Sequence, residues 1–324
     1  MRVMVVGGAG YIGSHMCKML AEHGHELVVC DNLSTGHAEA VRWGRLLHCK
    51  LSDSAALEEV LSSACFDAVM HFAADSIVSE SVADPLRYYR NNVAETISLL
   101  EVMRKHGVNR FVFSSTAAVY GEPQQAFIDE EHPRRPINPY GQSKLIVEQI
   151  LSDAAAAGQL NAVCLRYFNA AGADESGLIG ESHNPETHLI PRILRMAAGE
   201  PIQVQLFGVD YPTPDGTCIR DYIHVNDLCA AHLSALEFLQ RNDGFHAFNL
   251  GNGEGYSVRQ VIAAAEEVVS HKICIPEYKR RPGDPAHLVA SSDKARKVLG
   301  WHPAQKDIHG IVESAWKWHL GPKY

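Results

Sequence analysis

The first half of the chain alternates short apolar runs with longer amphipathic stretches. The apolar runs predict strands at residues 2–6, 26–30, 46–49, 67–72, 110–114 and 161–166. Such nearly continuous apolar runs are typical of a parallel sheet that is buried on both faces. The amphipathic stretches predict helices at residues 10–23, 54–62, 85–106 and 139–157. Right-handed crossovers between these elements predict an α/β fold with a doubly wound parallel sheet, in which ligands lie beyond the carboxyl ends of the strands.

The pattern becomes less regular from about residue 170 onward. Glycine, proline and polar residues interrupt residues 170–185 and 208–216, which is typical of loops between shorter elements. Helices are predicted at 188–198, 225–239, 257–270, 293–299 and 307–319, and strands at 202–206 and 273–278. We therefore expect a first domain over residues 1–169 and a smaller α/β substrate domain over residues 170–324. Some C-terminal segments are expected to pack back on the first domain.

The first predicted strand leads directly into a loop that contains Gly7, Gly10 and Gly13. Glycines at this spacing let the backbone turn sharply and approach a pyrophosphate, and the N-terminus of the next helix attracts the anion. Asp31 follows the second predicted strand, eighteen residues after Gly13. A carboxylate there can accept hydrogen bonds from both ribose hydroxyls of an adenosine and would repel a 2′-phosphate. These residues predict a Rossmann-type domain that binds NAD rather than NADP.

The composition excludes several classes of binding partner. A net charge of −9 offers no positive field for nucleic acid or an anionic membrane, and no apolar run approaches the length of a membrane span. With no signal peptide before the first strand and eight scattered cysteines without a C-x-x-C pair, we expect a cytoplasmic protein with reduced thiols. His183 and His188 are too loosely spaced to favour a metal over a loop. We expect no metal, no nucleic acid and no membrane partner.

A Tyr-x-x-x-Lys motif opens the helix predicted at residues 139–157. Tyr140 and Lys144 share one helical face, so the ammonium can stand beside the phenol. An adjacent cation, reinforced by a positively charged nicotinamide, lowers the pKa of a tyrosine toward neutrality. Thr116, close to the end of a predicted strand, is a candidate to orient the same substrate oxygen. One such motif among eleven tyrosines can arise by chance on a solvated helix face, but this one opens a helix and follows a dinucleotide fingerprint.

Several motifs together resemble the extended short-chain dehydrogenase/reductases and, within them, the UDP-glucose 4-epimerases. The resemblance covers essentially the whole chain and rests on residues 7–13, 31–34, 71–74, 88–92, 114–121, 140–144, 165–169, 220–224 and 280–284. It implies an NAD-dependent isomerase that interconverts UDP-glucose and UDP-galactose at C4 through a 4-keto intermediate. UDP-N-acetylglucosamine and UDP-N-acetylgalactosamine are a further candidate pair. The resemblance also implies a homodimer that forms through the helices predicted at 85–106 and 139–157.

The resemblance assigns roles to matching positions of this chain. Tyr140 would exchange the proton of the sugar 4-hydroxyl, Thr116 would bond the reacting oxygen and Lys144 would hold the nicotinamide ribose. NAD contacts are implied at Gly7, Gly10, Tyr11, Ile12, Gly13, Asp31, Asn32, Leu51, Phe72, Ala73, Asn91, Tyr140, Lys144 and Phe168. Substrate contacts are implied at Thr116, Tyr140, Asn169, His188, Leu189, Phe207, Arg220, Arg281, Asp284 and Leu288. The arginines would grip the diphosphate, and a salt bridge to Asp221 is the alternative role of Arg220.

The chain departs from the family pattern at a few positions. Lys50 follows the third predicted strand, where the family usually places an aspartate that accepts from the adenine amino group. A lysine can only donate, although Leu51 is still expected to pack on the base. Ser76 stands where some members carry a lysine donor. Leu288 stands where a tyrosine in some members crowds the sugar C2 substituent, which predicts room for an N-acetyl group.

Other functions share parts of this pattern. A nucleotide-sugar 4,6-dehydratase needs an acid-base pair just after Thr116, where this chain has Ala117 and Ala118. A pentose or uronate UDP-sugar stays open as the substrate, and so does a net dehydrogenase that releases NADH. A non-catalytic NAD-binding protein would have no reason to keep Thr116, Tyr140 and Lys144 together.

Overall fold

The computed structural model describes residues 1–281 and 283–324. Its strands are, in chain order, β1 (Arg2–Val6), β2 (Glu26–Asp31), β3 (Arg45–His48), β4 (Ala68–His71), β5 (Arg110–Thr116), β6 (Asn161–Tyr167), β7 (Asn169–Ala171), β8 (Leu206–Phe207), β9 (Ile219–Arg220), β10 (Tyr222–His224), β11 (Phe245–Leu250), β12 (Tyr256–Ser257), β13 (Glu277–Tyr278) and β14 (His287–Leu288). The α-helices are α1 (Tyr11–Glu22), α2 (Ser54–Ser62), α3 (Val78–Ala83), α4 (Pro85–Tyr89), α5 (Glu95–Lys105), α6 (Pro139–Ala156), α7 (Leu189–Ala197), α8 (Val225–Phe238), α9 (Val258–Val269), α10 (Asp293–Leu299) and α11 (Ile308–Leu320). None of the helices in this part of the chain is both long and apolar enough to cross a membrane.

Seven strands form the main sheet, in the order β11-β6-β5-β4-β1-β2-β3. All neighbouring strands in it are parallel, which confirms the predicted doubly wound α/β fold. All six strands predicted in the first half are present. The chain reverses direction across the sheet between β1 and β4, and this switch point opens a crevice at the carboxyl ends of the strands.

Helices cover both faces of the main sheet. One face packs against apolar residues of α1, α8 and α10, and the other packs against those of α2, α5 and α6. Since both faces are buried, the strands read as continuous apolar runs instead of alternating ones. Helix α8 packs on the main sheet and strand β11 is part of it, although both lie beyond residue 170.

The segment predicted as one helix at 85–106 is interrupted. Helix α4 passes through a π-helical turn at Arg90–Ala94 before α5 begins. Such a turn widens the helix by one residue and is frequent at functional sites. Here it brings Asn91 and Asn92 to the crevice at the switch point, where Asn92 bonds the backbone of Asp75.

The remaining strands form small sheets beside the main one, pairing β10 with β7, β13 with β8, and β9 with both β12 and β14. Helices α7, α9 and α11 pack around a separate apolar cluster. The strands predicted at 202–206 and 273–278 are reduced to the two-residue pair β8 and β13. Residue Val204 is buried in the cluster without a place in a strand, so its apolar character reflects packing and not sheet pairing.

Buried neutral histidines make the fold sensitive to acid, and His232 on α8 is the clearest case. It is fully buried, its Nδ1 bonds the Leu228 carbonyl, and its Nε2 has no partner among the described residues. Burial lowers the pKa of His232 from 6.5 to about 4. Between these values the unfolded chain binds the proton and the folded chain does not, so the free energy of unfolding falls as the pH drops.

We expect a His232→Phe variant to lose less stability than the wild type between pH 6.5 and about 4, by up to about 3 kcal/mol. Urea unfolding at a series of pH values measures this difference. A variant of the exposed His302, His302→Gln, should retain the wild-type pH dependence. Identical pH dependence in His232→Phe and the wild type would contradict the prediction.

Candidate active site

Tyr140 and Lys144 lie one turn apart near the start of α6 and face the end of β5. The helix is fixed at its start by Asn138, whose side chain accepts a hydrogen bond from the Gly141 N–H. Thr116 Oγ1 accepts from the Ala118 N–H, which leaves its hydroxyl hydrogen free to act on the Tyr140 oxygen, whose pKa it lowers. The structure thus brings the three predicted catalytic residues together.

The electrostatics of this pair come mainly from burial. Burial raises the pKa of Tyr140, and the nearby Thr116 hydroxyl opposes the rise. Burial lowers the pKa of Lys144 to about 7, while its Nζ donates to the Ser114 carbonyl oxygen at 2.8 Å and lies over the Phe113 ring. The protein alone therefore does not produce the predicted lowering of the tyrosine pKa, and a bound positive charge is needed for it.

One turn beyond Lys144, Glu148 is completely buried on the same face of α6. Its carboxylate forms a two-pronged salt bridge with Arg166 of β6, with distances from 2.6 to 3.2 Å, and accepts from Ser115 Oγ at 2.6 Å. Arg166 also donates to the Tyr120 hydroxyl. The sequence analysis missed this network, although the spacing 140, 144, 148 along one helix could have indicated it.

The glycine loop connects β1 to α1 with close backbone contacts. A Cβ atom on Gly7 would lie 2.5 Å from the Ala73 nitrogen, and one on Gly13 would lie 2.1 Å from the Gly7 carbonyl oxygen. Gly7 also has a φ of +80°, which favours glycine. No side chain caps the start of α1 at Gly10, so the first N–H groups of the helix are available to an anion. This cradle fits the pyrophosphate of a dinucleotide.

The end of β2 lies beside this loop. The buried Asp31 accepts hydrogen bonds from the Ala9 and Leu33 N–H groups, which holds its carboxylate at the strand end with lone pairs to spare. The following Asn32 lines a cavity of about 520 Å³ together with Asn91 of the π-helical turn and Glu95 of α5. The cavity has room for a nucleoside and lies at the predicted adenosine end.

Glu95 was not predicted from the sequence. It is half-buried, and among the described residues its carboxylate takes part in no salt bridge or hydrogen bond. Burial and the Asp75 carboxylate raise the pKa of Glu95, and the Lys50 ammonium opposes them. No local sequence signal marks this glutamate, because its position follows from the approach of α5 to the cavity.

Other predicted cofactor residues lie around the same crevice. Leu51 is buried in the turn after β3, and Phe72, which directly follows β4, packs on the His232 ring at 4.9 Å between centroids. Phe168 follows β6 and packs in a small apolar cluster with Tyr120 and Leu288. This cluster links the cofactor crevice to the predicted sugar pocket.

The predicted diphosphate residues meet around β9 and β14. Arg220 donates to Asp284 Oδ1 at 2.9 Å and to the Pro285 carbonyl oxygen, while Arg281 lies 3.3 Å from Asp284 Oδ2. The Arg281 guanidinium also stacks on the Phe207 ring, 4.5 Å from its centroid. The alternative salt bridge between Arg220 and Asp221 is not what the structure contains.

Asp221 holds loops together instead. Its buried carboxylate accepts from the N–H groups of Asn252, Gly253 and Ala290, and burial raises its pKa to about 6. The Asp221 carbonyl oxygen accepts from the side chain of Asn169. The amide of Asn169 is thereby placed close to the strand that carries Arg220.

His188 directly precedes α7, whose first residue is Leu189, and it lies in a group of four ligand-type side chains. These residues, here called the 181–188 cluster, are Glu181, His183, Glu186 and His188. Burial lowers the pKa of both imidazoles, but the two carboxylates outweigh it and raise the pKa of His183 to about 9 and that of His188 to about 10. The repeated Glu-x-His spacing in residues 181–188 was the available signal for this cluster.

Comparisons with known proteins agree with this geometry. Residues 3–251 match the model of the NAD dependent epimerase/dehydratase family. The chain is 50% identical over 319 residues to the UDP-glucose 4-epimerase of Halalkalibacterium halodurans, covering 98% of this chain and 96% of that protein. The crystal structure of UDP-glucose 4-epimerase from Brucella ovis in complex with NAD is 48% identical, with a TM-score of 0.96 and coverage of 99% and 98%. The enzyme from Bifidobacterium longum, in complex with NAD+ and UDP, is 40% identical, with a TM-score of 0.94 and coverage of 99% of both chains.

Proposed function

The chain belongs to the NAD dependent epimerase/dehydratase family, and from that premise we propose how its residues interconvert UDP-glucose and UDP-galactose at C4. The enzyme is an NAD-dependent isomerase of these UDP-sugars. When bound, NAD supplies the acceptor and later the donor of a hydride. The observation that carries the proposal is the packing of the turn with Tyr140 and Lys144 against the end of β5, where Lys144 donates to the Ser114 carbonyl oxygen at the same sheet edge as the glycine loop. Oxidation at C4 requires a proton carrier on the sugar oxygen at this place.

Tyr140 takes the proton of the 4-hydroxyl as C4 is oxidised to the ketone, and Thr116 orients the reacting oxygen. Once the ketose has turned its other face to the cofactor, Tyr140 returns the proton as C4 is reduced. Lys144 holds the nicotinamide ribose from its position one turn further along α6. Since burial alone raises the pKa of Tyr140, the positive charge of a bound nicotinamide is what makes the tyrosine an effective base.

We expect the purified protein to convert UDP-galactose to UDP-glucose without net release of NADH, and a Tyr140→Phe variant to lower this turnover roughly 10²–10⁴-fold. UDP binding should stay close to normal, because the ring remains. Turnover measured by separation of the two UDP-sugars and UDP affinity measured by calorimetry check both parts. The control is Tyr88→Phe, because among the described residues the Tyr88 hydroxyl bonds the Ile77 carbonyl oxygen alone. Near-normal turnover in Tyr140→Phe would refute its role, and accumulation of NADH would indicate a dehydrogenase.

The diphosphate is held by Arg220 and Arg281, which Asp284 orients by bonding both guanidinium groups. Each guanidinium keeps N–H groups that Asp284 does not use, and these can donate to phosphate oxygens in pairs. Asn169 and His188 complete the diphosphate contacts. The uracil lies between Leu189 and Phe207, and the cation over the Phe207 ring keeps that ring in place.

Glu95 takes the role of the missing aspartate at the adenine end. Its free carboxylate faces the cavity that Asn32 and Asn91 also line, and an acceptor is what the adenine amino group requires. Lys50, which replaces the usual aspartate, is close enough to oppose the rise in the pKa of Glu95. The lysine therefore favours the ionised form of the glutamate, which can accept, while Leu51 packs on the base.

We expect a Glu95→Ala variant to lose its preference for NAD over nicotinamide hypoxanthine dinucleotide, in which an oxo group replaces the adenine amino group. Loss of a hydrogen bond to a charged acceptor should reduce the ratio of the two affinities roughly tenfold or more. Calorimetric titration of protein freed of NAD measures both affinities. The matched control is Glu59→Ala, an exposed glutamate on α2. An unchanged ratio in Glu95→Ala would assign the adenine contact to another residue.

The sugar pocket accommodates N-acetylated substrates. Leu288 pairs with Arg220 in the small sheet and packs beside Phe168, so its side chain lies between the diphosphate arginine and the cofactor crevice. We expect measurable turnover of UDP-N-acetylglucosamine, and a Leu288→Tyr variant should lower that turnover more than the turnover of UDP-glucose because the larger ring fills the space of the acetyl group. Parallel assays with the two substrates measure the ratio. Undetectable turnover of UDP-N-acetylglucosamine by the wild type would contradict this prediction.

The enzyme works as a cytoplasmic homodimer. Ile97 of α5 is 39% exposed and lines, with Leu100 and Ile150, an apolar groove between α5 and α6. Covering such a groove with a second copy removes apolar surface from water. All eight cysteines are unpaired, which suits a reducing compartment. Within each chain, residues 1–169 bind NAD and residues 170–324 supply most of the UDP-sugar contacts.

A further inference from the structure

The 181–188 cluster is a compact set of two carboxylates and two imidazoles that the mechanism above does not require as a group. One ligand atom from each of its four residues lies within 4.8 Å of every other. Both imidazoles present Nδ1 to the carboxylates, with distances of 3.1 Å from His183 and 2.8 Å from His188 to Glu181 Oε1. Glu186 receives the two imidazoles on different oxygens, with 3.6 Å from His183 Nδ1 to Oε2 and 3.0 Å from His188 Nδ1 to Oε1.

The cluster has dimensions close to those of a tetrahedral metal site. Zn²⁺ binds nitrogen and oxygen ligands at about 2.0–2.2 Å, so neighbouring ligand atoms in a tetrahedral site lie about 3.4 Å apart. The four nitrogen–oxygen distances run from 2.8 to 3.6 Å and span this value, and the four ligand atoms all lie within 4.8 Å of one another. A central ion therefore requires the short His–Glu contacts to open and Glu186 to turn a single oxygen toward the ion.

The burial of the two carboxylates and the hydrogen bonds that hold the segment favour a preformed metal site. The carboxylates of Glu181 and Glu186 are only 6% and 3% exposed, and a buried carboxylate needs compensating positive charge. Glu186 is additionally held by the His188 N–H, which donates to Oε1 at 2.7 Å. The Glu181 carbonyl oxygen accepts from the Trp318 ring N–H, so the C-terminal helix α11 fixes the segment from outside.

We propose that the 181–188 cluster binds one Zn²⁺ ion through two imidazole nitrogens and two carboxylate oxygens. Two carboxylates neutralise the charge of the ion, and mixed nitrogen and oxygen ligands in a tetrahedral arrangement suit zinc. Each of the four residues supplies one ligand atom, so the coordination of the ion is complete and the ion is structural. His188 faces the carboxylates through Nδ1, which leaves its other ring nitrogen for the diphosphate. It fixes the segment between the glycine-loop helix, where the Tyr11 ring contacts His183 edge to face, and the start of α7. This site does not depend on the proposed roles of the catalytic residues.

The experiment measures metal in the full-length protein, purified with its bound NAD and dialysed without chelator. We expect about one zinc per chain by plasma mass spectrometry, and replacement by Co²⁺ should give the intense visible bands of a tetrahedral site. Glu186→Gln and His183→Gln should weaken Zn²⁺ binding, measured by competition with a chromophoric chelator. The loss should exceed the 10–100-fold that removal of an outer-shell partner typically costs.

Glu175→Gln is the matched control, because Glu175 is an exposed glutamate of the same region outside the cluster and should leave zinc binding unchanged. The folded state of each variant is checked by circular dichroism and NAD content, so that a variant that fails to fold is not counted. Zinc well below one per chain in zinc-supplemented wild-type protein would overturn the proposal. Equal zinc affinity in the wild type and in two folded ligand variants would do the same, and the cluster would then be a metal-free set of ion pairs.

Discussion

The catalytic geometry depends on the contact between the end of β5 and three successive turns of α6. Ser114 accepts from Lys144 through its carbonyl oxygen, Ser115 donates to Glu148, and Thr116 lowers the pKa of Tyr140. The strongest constraint is the salt bridge from Glu148 to Arg166. A charge buried this completely is tolerated only with its partner in place. Rotation or sliding of α6 would separate these charges, so the register of the helix, and with it the position of the tyrosine, is fixed.

The parallel sheet extends this constraint to the cofactor. Since the carboxyl ends of all seven strands lie along one edge, the glycine loop after β1, Asp31 at the end of β2 and Thr116 at the end of β5 open toward the same crevice. The second half of the chain reaches this edge by pairing. Strand β11 adds to β6, and the β9–β14 pair places Leu288 beside Arg220. The substrate pocket is therefore built on the sheet that binds the cofactor.

The sequence predicts those parts of this arrangement that depend on neighbouring residues. Six strands and the catalytic motif are local patterns, and the structure contains them. Strand β11 was missed because it includes His246 and Asn249, and its strand character comes from pairing with residues about eighty positions away. The π-helical turn at Arg90–Ala94 has no local sequence signal. Glu95 and Glu148 acquire their roles only through tertiary contacts, so spacing along the chain could at best suggest one of them.

Two kinds of acidic side chain can be distinguished by their hydrogen-bond partners. Acids that are paired within the protein stabilise the fold, and an acid without such partners is available to a ligand. Glu148 is paired with Arg166, and Asp221 accepts from three backbone N–H groups. Both carboxylates therefore have their donors within the protein. Glu95 has no such partner among the described residues and faces a cavity. A half-buried carboxylate left without donors costs free energy in the empty protein. A ligand that donates to Glu95 recovers that cost, which supports the proposed adenine contact at the end of the site where Lys50 replaces the usual acceptor.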